Sequence, residues 1–161
     1  MSAKALPKTN AMRILLAAKI PFEVLTYEVD ESDLSGIHIA NEVGLPMEMV
    51  FKTLVAKGDK TGYIVFCIPV DKEIDLKRAA QATGNKRVEM IHVKELLPLT
   101  GYIRGGCSPI GMKKKFPTYF HASAAQLDKI TVSAGVRGAQ LLMDRGALIE
   151  FVDGELVDVA I

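Results

Sequence analysis

Two apolar runs rich in strand-forming residues, Met49 to Lys57 and Thr61 to Val70, are separated by only Gly58-Asp59-Lys60. A link that short cannot hold a parallel crossover, so the two runs are expected to pair as an antiparallel hairpin. Further strands are expected at Phe22 to Val29, Val88 to Ile91, Thr118 to His121, Ile130 to Ser133, Gln140 to Met143 and Leu156 to Val159. Helices are expected after the cap Thr9, with Met12, Leu15 and Leu16 inward, and over Ile37 to Val43 between Ser35 and Gly44. Three more follow: Ile74 to Thr83 before Gly84, Val93 to Leu97 before Pro98, and Gly146 to Val152. Several links are again too short for crossovers, which predicts an α/β chain with a mixed, mainly antiparallel sheet and helices packed around it.

The 161 residues suffice for one compact domain with its own core. No repeat, low-complexity tract or linker divides them, so residues 1–161 are read as a single domain. No apolar run is long enough to span a bilayer. Lys4 and Lys8 are not followed by the apolar block of a signal peptide, so a cytoplasmic location is expected. Cys67 and Cys107 have no metal-ligand spacing and fit a reduced compartment. Net charge is +1, yet between Asp71 and Lys115 ten basic residues stand against five acidic ones. Such a segment either steers a polyanion to one face or is a solvated surface whose charges cancel in three dimensions.

Two stretches could carry chemistry. In Val50-Phe51-Lys52-Thr53-Leu54-Val55 a lysine enters an apolar strand. Burying an ammonium is expensive, so Lys52 either serves a phosphate or carbonyl oxygen in a pocket, or snorkels from a strand end. The second stretch, Gly101 to Gly111, holds Gly101, Gly105, Gly106, Pro109 and Gly111. Backbone N–H groups in so glycine-dense a loop can face a ligand closely, as in oxyanion holes; a tight surface turn is the alternative. Gly106 and Gly111 have Walker A spacing, but Met112 stands where the lysine belongs, which excludes a nucleoside-triphosphate loop. Cys107 could be a nucleophile if loop dipoles and cations lowered its pKa, with His38, His92 or His121 as base, but no spacing supports that pairing, and a plain packing or loop cysteine with structural histidines is the preferred reading. Lys113-Lys114-Lys115 would set positive charge beside the loop's mouth.

The same stretches carry a family resemblance. Phe51-Lys52-Thr53-Leu54 resembles the Tyr/Phe-Lys-Thr-Leu segment of the YbaK/EbsC proteins and of the editing domains inserted in bacterial prolyl-tRNA synthetases. Gly101-Tyr102 followed by Gly105-Gly106-Cys107-Ser108-Pro109-Ile110-Gly111 is similar to their Gly-Tyr-x-x-Gly-Gly-x-Ser-Pro-x-Gly loop. Val132 to Gly138 resembles their Val-Ser-x-Gly-x-Arg-Gly turn, and Leu25-Thr26-Tyr27 and Lys86 to Met90 also fit. Order and spacing match from about Ala11 to Val159.

The resemblance implies an α/β fold whose central sheet is largely antiparallel and partly barrel-like, surrounded by helices. It implies deacylation of Cys-tRNA(Pro), with aminoacyl-tRNA as partner, transient association with prolyl-tRNA synthetase and no metal or organic cofactor. Lys52 would hold the 3′-terminal nucleotide or the ester end. The backbone at Gly105, Gly106, Cys107 and Ser108 would receive the aminoacyl group. Tyr27, Thr53, Gly101, Pro109 and Arg137 would complete the substrate site, with Tyr27 and Arg137 lining the pocket or holding the adenosine end. The implied chemistry is attack of the substrate's own thiol on its ester, giving a cyclic thioester and free tRNA. Two alternatives stand beside it: a water-using Ala-tRNA(Pro) hydrolase of the same fold, and a non-catalytic RNA- or protein-binding module.

Overall fold

The computed structural model describes residues 8–161. Helix α1 (Asn10–Ala17) starts at Thr9, whose hydroxyl accepts from the Met12 N–H, and buries Ala11, Met12 and Leu15. Strand β1 (Glu23–Thr26) leads to α2 (Gly36–Val43), capped by Ser35 and closed by Gly44 in the left-handed conformation. The expected hairpin is β2 (Phe51–Gly58) against β3 (Gly62–Pro69), antiparallel from Phe51↔Pro69 to Gly58↔Gly62. Helix α3 (Leu76–Thr83), β4 (Val88–Met90) and α4 (Val93–Thr100) follow. After the glycine-rich loop come β5 (Thr118–His121), β6 (Lys129–Ser133), β7 (Ala139–Asp144), α5 (Arg145–Phe151) and β8 (Glu155–Val157).

The strands form two sheets in the orders β1-β7-β6 and β4-β2-β3-β5-β8. Four of the six pairings are antiparallel, whereas β3–β5 and β5–β8 are parallel. A parallel bridge between Val50 and Thr131 joins the sheets at the start of β2, and they do not close into a barrel. Side chains of β2 and β3 alternate between two cores. Phe51, Val55, Val65 and Cys67 pack with Leu15, Phe120, Leu141 and Leu148. Ala56, Ile64, Phe66 and Ile68 pack with Ala79, Val88 and Val159. Phe51, Phe66 and Phe120 are fully buried, each stabilising the fold by about 1.5–3 kcal/mol.

Several element ends differ from the sequence reading, and at four of them the structure shows the reason. The strand expected to reach Val29 stops at Thr26, because its partner begins at Ala139 and the Tyr27 N–H already meets the Gly138 carbonyl in the turn. The expected strand start at Met49 is a 3-10 turn, Met47–Met49, following Pro46. Helix α3 begins two residues later than expected, because Asp75 caps it by accepting from the N–H groups of Lys77 and Arg78. Helix α4 runs past Pro98 to Thr100. The His92 N–H donates to Glu95 Oε2 at 2.8 Å at one end and Gly101 closes the other, and these caps offset the donor that proline lacks. A 3-10 turn at Ala122–Gln126 had no signature in the sequence reading.

The hairpin turn is held from outside by Asn85. Its Oδ1 accepts from the N–H groups of Lys60 at 2.8 Å and Thr61 at 3.0 Å, while its Nδ2 donates to the hydroxyls of Thr61 and Thr83. One side chain thereby joins the turn to the end of α3. Asn85→Ala is expected to lower the unfolding free energy by about 1–3 kcal/mol, read by urea denaturation, with the slope unchanged.

Candidate active site

Strand β2 lies between β3 and β4, but β4 is short. It pairs only with Ala56, Lys57 and Gly58, so the first half of β2 lacks a neighbour on that side until the bridge at Val50. Here the sheets part and leave a cleft of about 520 Å³, within the usual range for small-molecule sites. Its floor is residues 50–55. Its walls come from α2 and the turn before it (Leu34 to Ile37), the segment after β3 (Val70 to Glu73), the chain from β4 into α4 (Met90 to Val93), and the glycine-rich loop.

Lys52 sits half-buried on this floor, opposite Ile68 in the hairpin register. Burial holds its ammonium below the ordinary lysine range, partly offset by the carboxylates of Glu73 and Asp71. The result is a cation drawn out of water on the floor of an open cleft, a placement suited to an anionic or carbonyl oxygen.

The glycine-rich loop is fixed against the turn between β6 and β7. A Cβ at Gly106 would lie 3.1 Å from the Val136 carbonyl carbon and 3.2 Å from the Arg137 nitrogen, so any side chain there would press the two backbones apart by a few tenths of an ångström. Arg137 Nε donates to the Arg104 carbonyl at 2.9 Å, and the Tyr102 hydroxyl donates to the Ile110 carbonyl. Ser108 is fully buried and its Oγ accepts from the Ile110 N–H at 3.3 Å. The loop is therefore tied by hydrogen bonds within itself and to that turn, and it forms one wall of the cleft.

Of the residues singled out in the sequence, Lys52, Thr53, Gly105 and Cys107 line the cleft. Gly106 and Ser108 stand behind that wall. Tyr27 and Arg137 border a small adjoining crevice with Asp30, Asp33 and His38, which shares Leu34, Ile39 and Gly105 with the cleft. Gly101 closes α4, and Pro109 borders a separate depression of about 180 Å³ with Lys114 and Lys115. Lys114 and Lys115 thus border that depression and not the cleft, and Lys115 pairs with Asp153. Among the histidines, His92 lines the cleft, whereas His121 is buried on β5 with its Nδ1 accepting from the Val159 N–H.

Two further features concern Cys107 and the polar lining. Burial pushes the Cys107 thiol up to about 12, the reverse of the lowering that a nucleophilic role requires. The cleft also contains polar residues that the sequence reading passed over. Ser133 and Gln140 are both buried in its lining. Gln140 Oε1 accepts from the Thr131 hydroxyl at 3.0 Å, and Ser133 Oγ accepts from the Gly135 N–H at 3.1 Å. A glutamine and a serine at inward positions of apolar strands were the available signal, since buried polar groups need partners or a task.

Comparison with known proteins places the chain in a family. Residues 37–151 match the model of the aminoacyl-tRNA editing domain. Over 156 residues, spanning 97% of this chain and 95% of the relative, the sequence is 46% identical to an Enterococcus faecalis protein named "Putative Cys-tRNA(Pro)/Cys-tRNA(Cys) deacylase EbsC". It is 25% identical to the uncharacterized protein YwhH of Bacillus subtilis, over 77% of this chain and 78% of the relative. Among solved structures, one described as a "putative trans-editing enzyme for prolyl tRNA synthetase" shares the fold, with a TM-score of 0.78 and 21% identity, covering 97% of this chain and 98% of that one. With nearly the whole length of both chains aligned at that level of identity to EbsC, the chain belongs to the aminoacyl-tRNA editing family, in its YbaK/EbsC group.

Proposed function

We propose that the protein removes cysteine from mischarged Cys-tRNA(Pro), acting in trans after release from prolyl-tRNA synthetase. Aminoacyl-tRNA editing is the activity of the family, and the name of the Enterococcus relative supports cysteine as the amino acid. A synthetase pocket for proline discriminates poorly against a residue of similar size, so a second site acting on the finished ester is the physical remedy.

The observation that supports the reading best is the pairing of Lys52 with a hydrogen-bonded backbone wall in one cleft whose own thiol is held protonated. The substrate thiol is the better nucleophile for such a site. Its sulfur attacks the ester carbonyl carbon, the C–O bond to the ribose breaks, and the thiol proton passes to the departing ribose oxygen. The product ring contains sulfur, Cβ, Cα and the carbonyl carbon, a strained four-membered thioester that water then opens to cysteine. Proximity supplies the rate, and Lys52 with the backbone of Gly105 and Cys107 stabilises the developing oxyanion, since the Gly106 N–H is already given to the Ile103 carbonyl at 2.9 Å. Alanine and proline esters lack the thiol and are spared. The prolyl-tRNA synthetase contact is transient in this reading, and handing over the tRNA would compensate for the chain's small net charge.

Purified protein is expected to deacylate Cys-tRNA(Pro) and to spare both Ala-tRNA(Pro) and the S-methylcysteine ester. Cleavage of the S-methyl ester at an equal rate would remove the thiol route, and preference for the alanine ester would assign the chain to the water-using branch. Lys52→Ala is expected to lower kcat/KM about a hundredfold, the scale of losing one oxyanion-stabilising group. Cys107→Ala, measured alongside, is expected to stay within about threefold of the parent, since a protonated buried thiol serves only packing. A Cys107→Ala loss as large as that of Lys52→Ala would make the protein thiol a participant.

A further inference from the structure

The open edge of β2 has a use that the deacylation chemistry leaves unassigned. In an antiparallel pair the backbone groups of alternate residues point to opposite sides of the strand. The Val70 N–H donates to the Val50 carbonyl at 2.9 Å, so the even-numbered residues of β2 face β3. Phe51, Thr53 and Val55 therefore point their N–H and C=O groups the other way. Val55 already gives its carbonyl to the Ile91 N–H at 3.3 Å, where β4 begins to pair. Thr53 lies between that point and the Val50–Thr131 bridge, and β4 does not reach it.

Exposure agrees with this geometry. Lys52, Thr53 and Leu54 are all half-buried, whereas the β3 residues opposite them, Phe66, Cys67 and Ile68, are fully buried. Exposure of one face would alternate along the strand; three consecutive half-exposed residues mean that the strand is open along its edge. Apolar side chains left in solvent flank the opening. Ile37 is 43% exposed, Met90 40% and Val93 64%, and all three line the cleft. A row of backbone donors and acceptors between apolar side chains suits a flat heteroaromatic ring: the ring faces contact the apolar groups and the ring edge completes the strand.

We propose that this edge reads the terminal adenine of the tRNA, with the Thr53 N–H donating to adenine N1 and a carbonyl on the same edge, of Phe51 or Thr53, accepting from the N6 amino group. The assignment rests on the aminoacyl-tRNA reading above, in which the acceptor end is always adenosine. It places the base at the strand edge and the ester toward Lys52, and it gives Tyr27 and Arg137, in the adjoining crevice, no part in holding the adenosine. Reading by backbone leaves no side-chain signature, which is why a motif search does not find it.

The test uses the intact protein and two nucleotides, adenosine 5′-monophosphate and inosine 5′-monophosphate. Hypoxanthine carries a proton on N1, so it meets the Thr53 N–H donor to donor. In nitrogen-15 NMR titrations, adenosine monophosphate is expected to shift the Thr53 amide, and inosine monophosphate to bind at least about tenfold more weakly. Equal binding of the two nucleotides, or no shift at Thr53 up to about 10 mM adenosine monophosphate, would overturn the proposal. Deacylation of Cys-tRNA(Pro) is assayed separately on tRNA ending in adenosine or inosine. An unchanged KM with the inosine end also overturns the edge assignment while leaving the deacylase intact. Failure to cleave either ester counts against the deacylase reading, and the nucleotide titration still decides the edge.

Discussion

A strand has two hydrogen-bonding sides, and β2 is asked to serve three neighbours. One side is taken along its whole length by β3. The other is divided between β4 at Ala56–Gly58 and β6 at the Val50 bridge, and neither reaches the middle. The two sheets must diverge there, and the cleft is the space they leave. Its location therefore follows from pairing geometry, and the helices and loops only complete its walls. That origin also explains why its floor is backbone as much as side chain.

The glycine-rich loop serves this geometry in an indirect way. Its glycines permit close backbone contact with the Gly135–Gly138 turn, which belongs to the other sheet. Gly106 against Val136 and Arg137 Nε on the Arg104 carbonyl tie the loop to that turn, so one wall of the cleft is anchored on the sheet opposite its floor. Gly105 and Cys107 reach the cleft because Gly106 and Ser108 are turned into the packing. A wall held in this way needs no reorganisation when charge develops beside it, which is what electrostatic preorganisation asks of a site.

Lys52 is the group that this arrangement strains. Its folded-state pKa lies below the ordinary value, so the native state binds that proton less tightly than the unfolded chain. The charged lysine therefore costs stability at neutral pH, and the cost fades as pH rises through the folded value. Glu73 and Asp71 limit the penalty, and they stand on the segment that leaves β3, the strand paired with Lys52 itself. An anionic or carbonyl oxygen arriving in the cleft would relieve the same penalty, so substrate binding and lysine solvation are linked.

Much of this was legible in the sequence. Short links between β-forming runs determined a mainly antiparallel sheet, caps such as Thr9, Ser35, Gly44 and Gly84 marked where helices start and stop, and the motifs around Lys52 and Gly105 fall in one cleft. These are local properties, set by backbone preference and spacing. Tertiary structure alone decided the rest. Strand ends depended on partners, as Thr26 shows, and the thiol of Cys107 took its protonation state from burial that no local pattern encodes. Only the folded chain brought Ser133 and Gln140 to the cleft and sent Lys114 and Lys115 to another depression. The unpaired edge at Thr53 has the same origin: whether a backbone group is free depends on where neighbouring strands stop, and that is settled by packing between segments far apart in the chain.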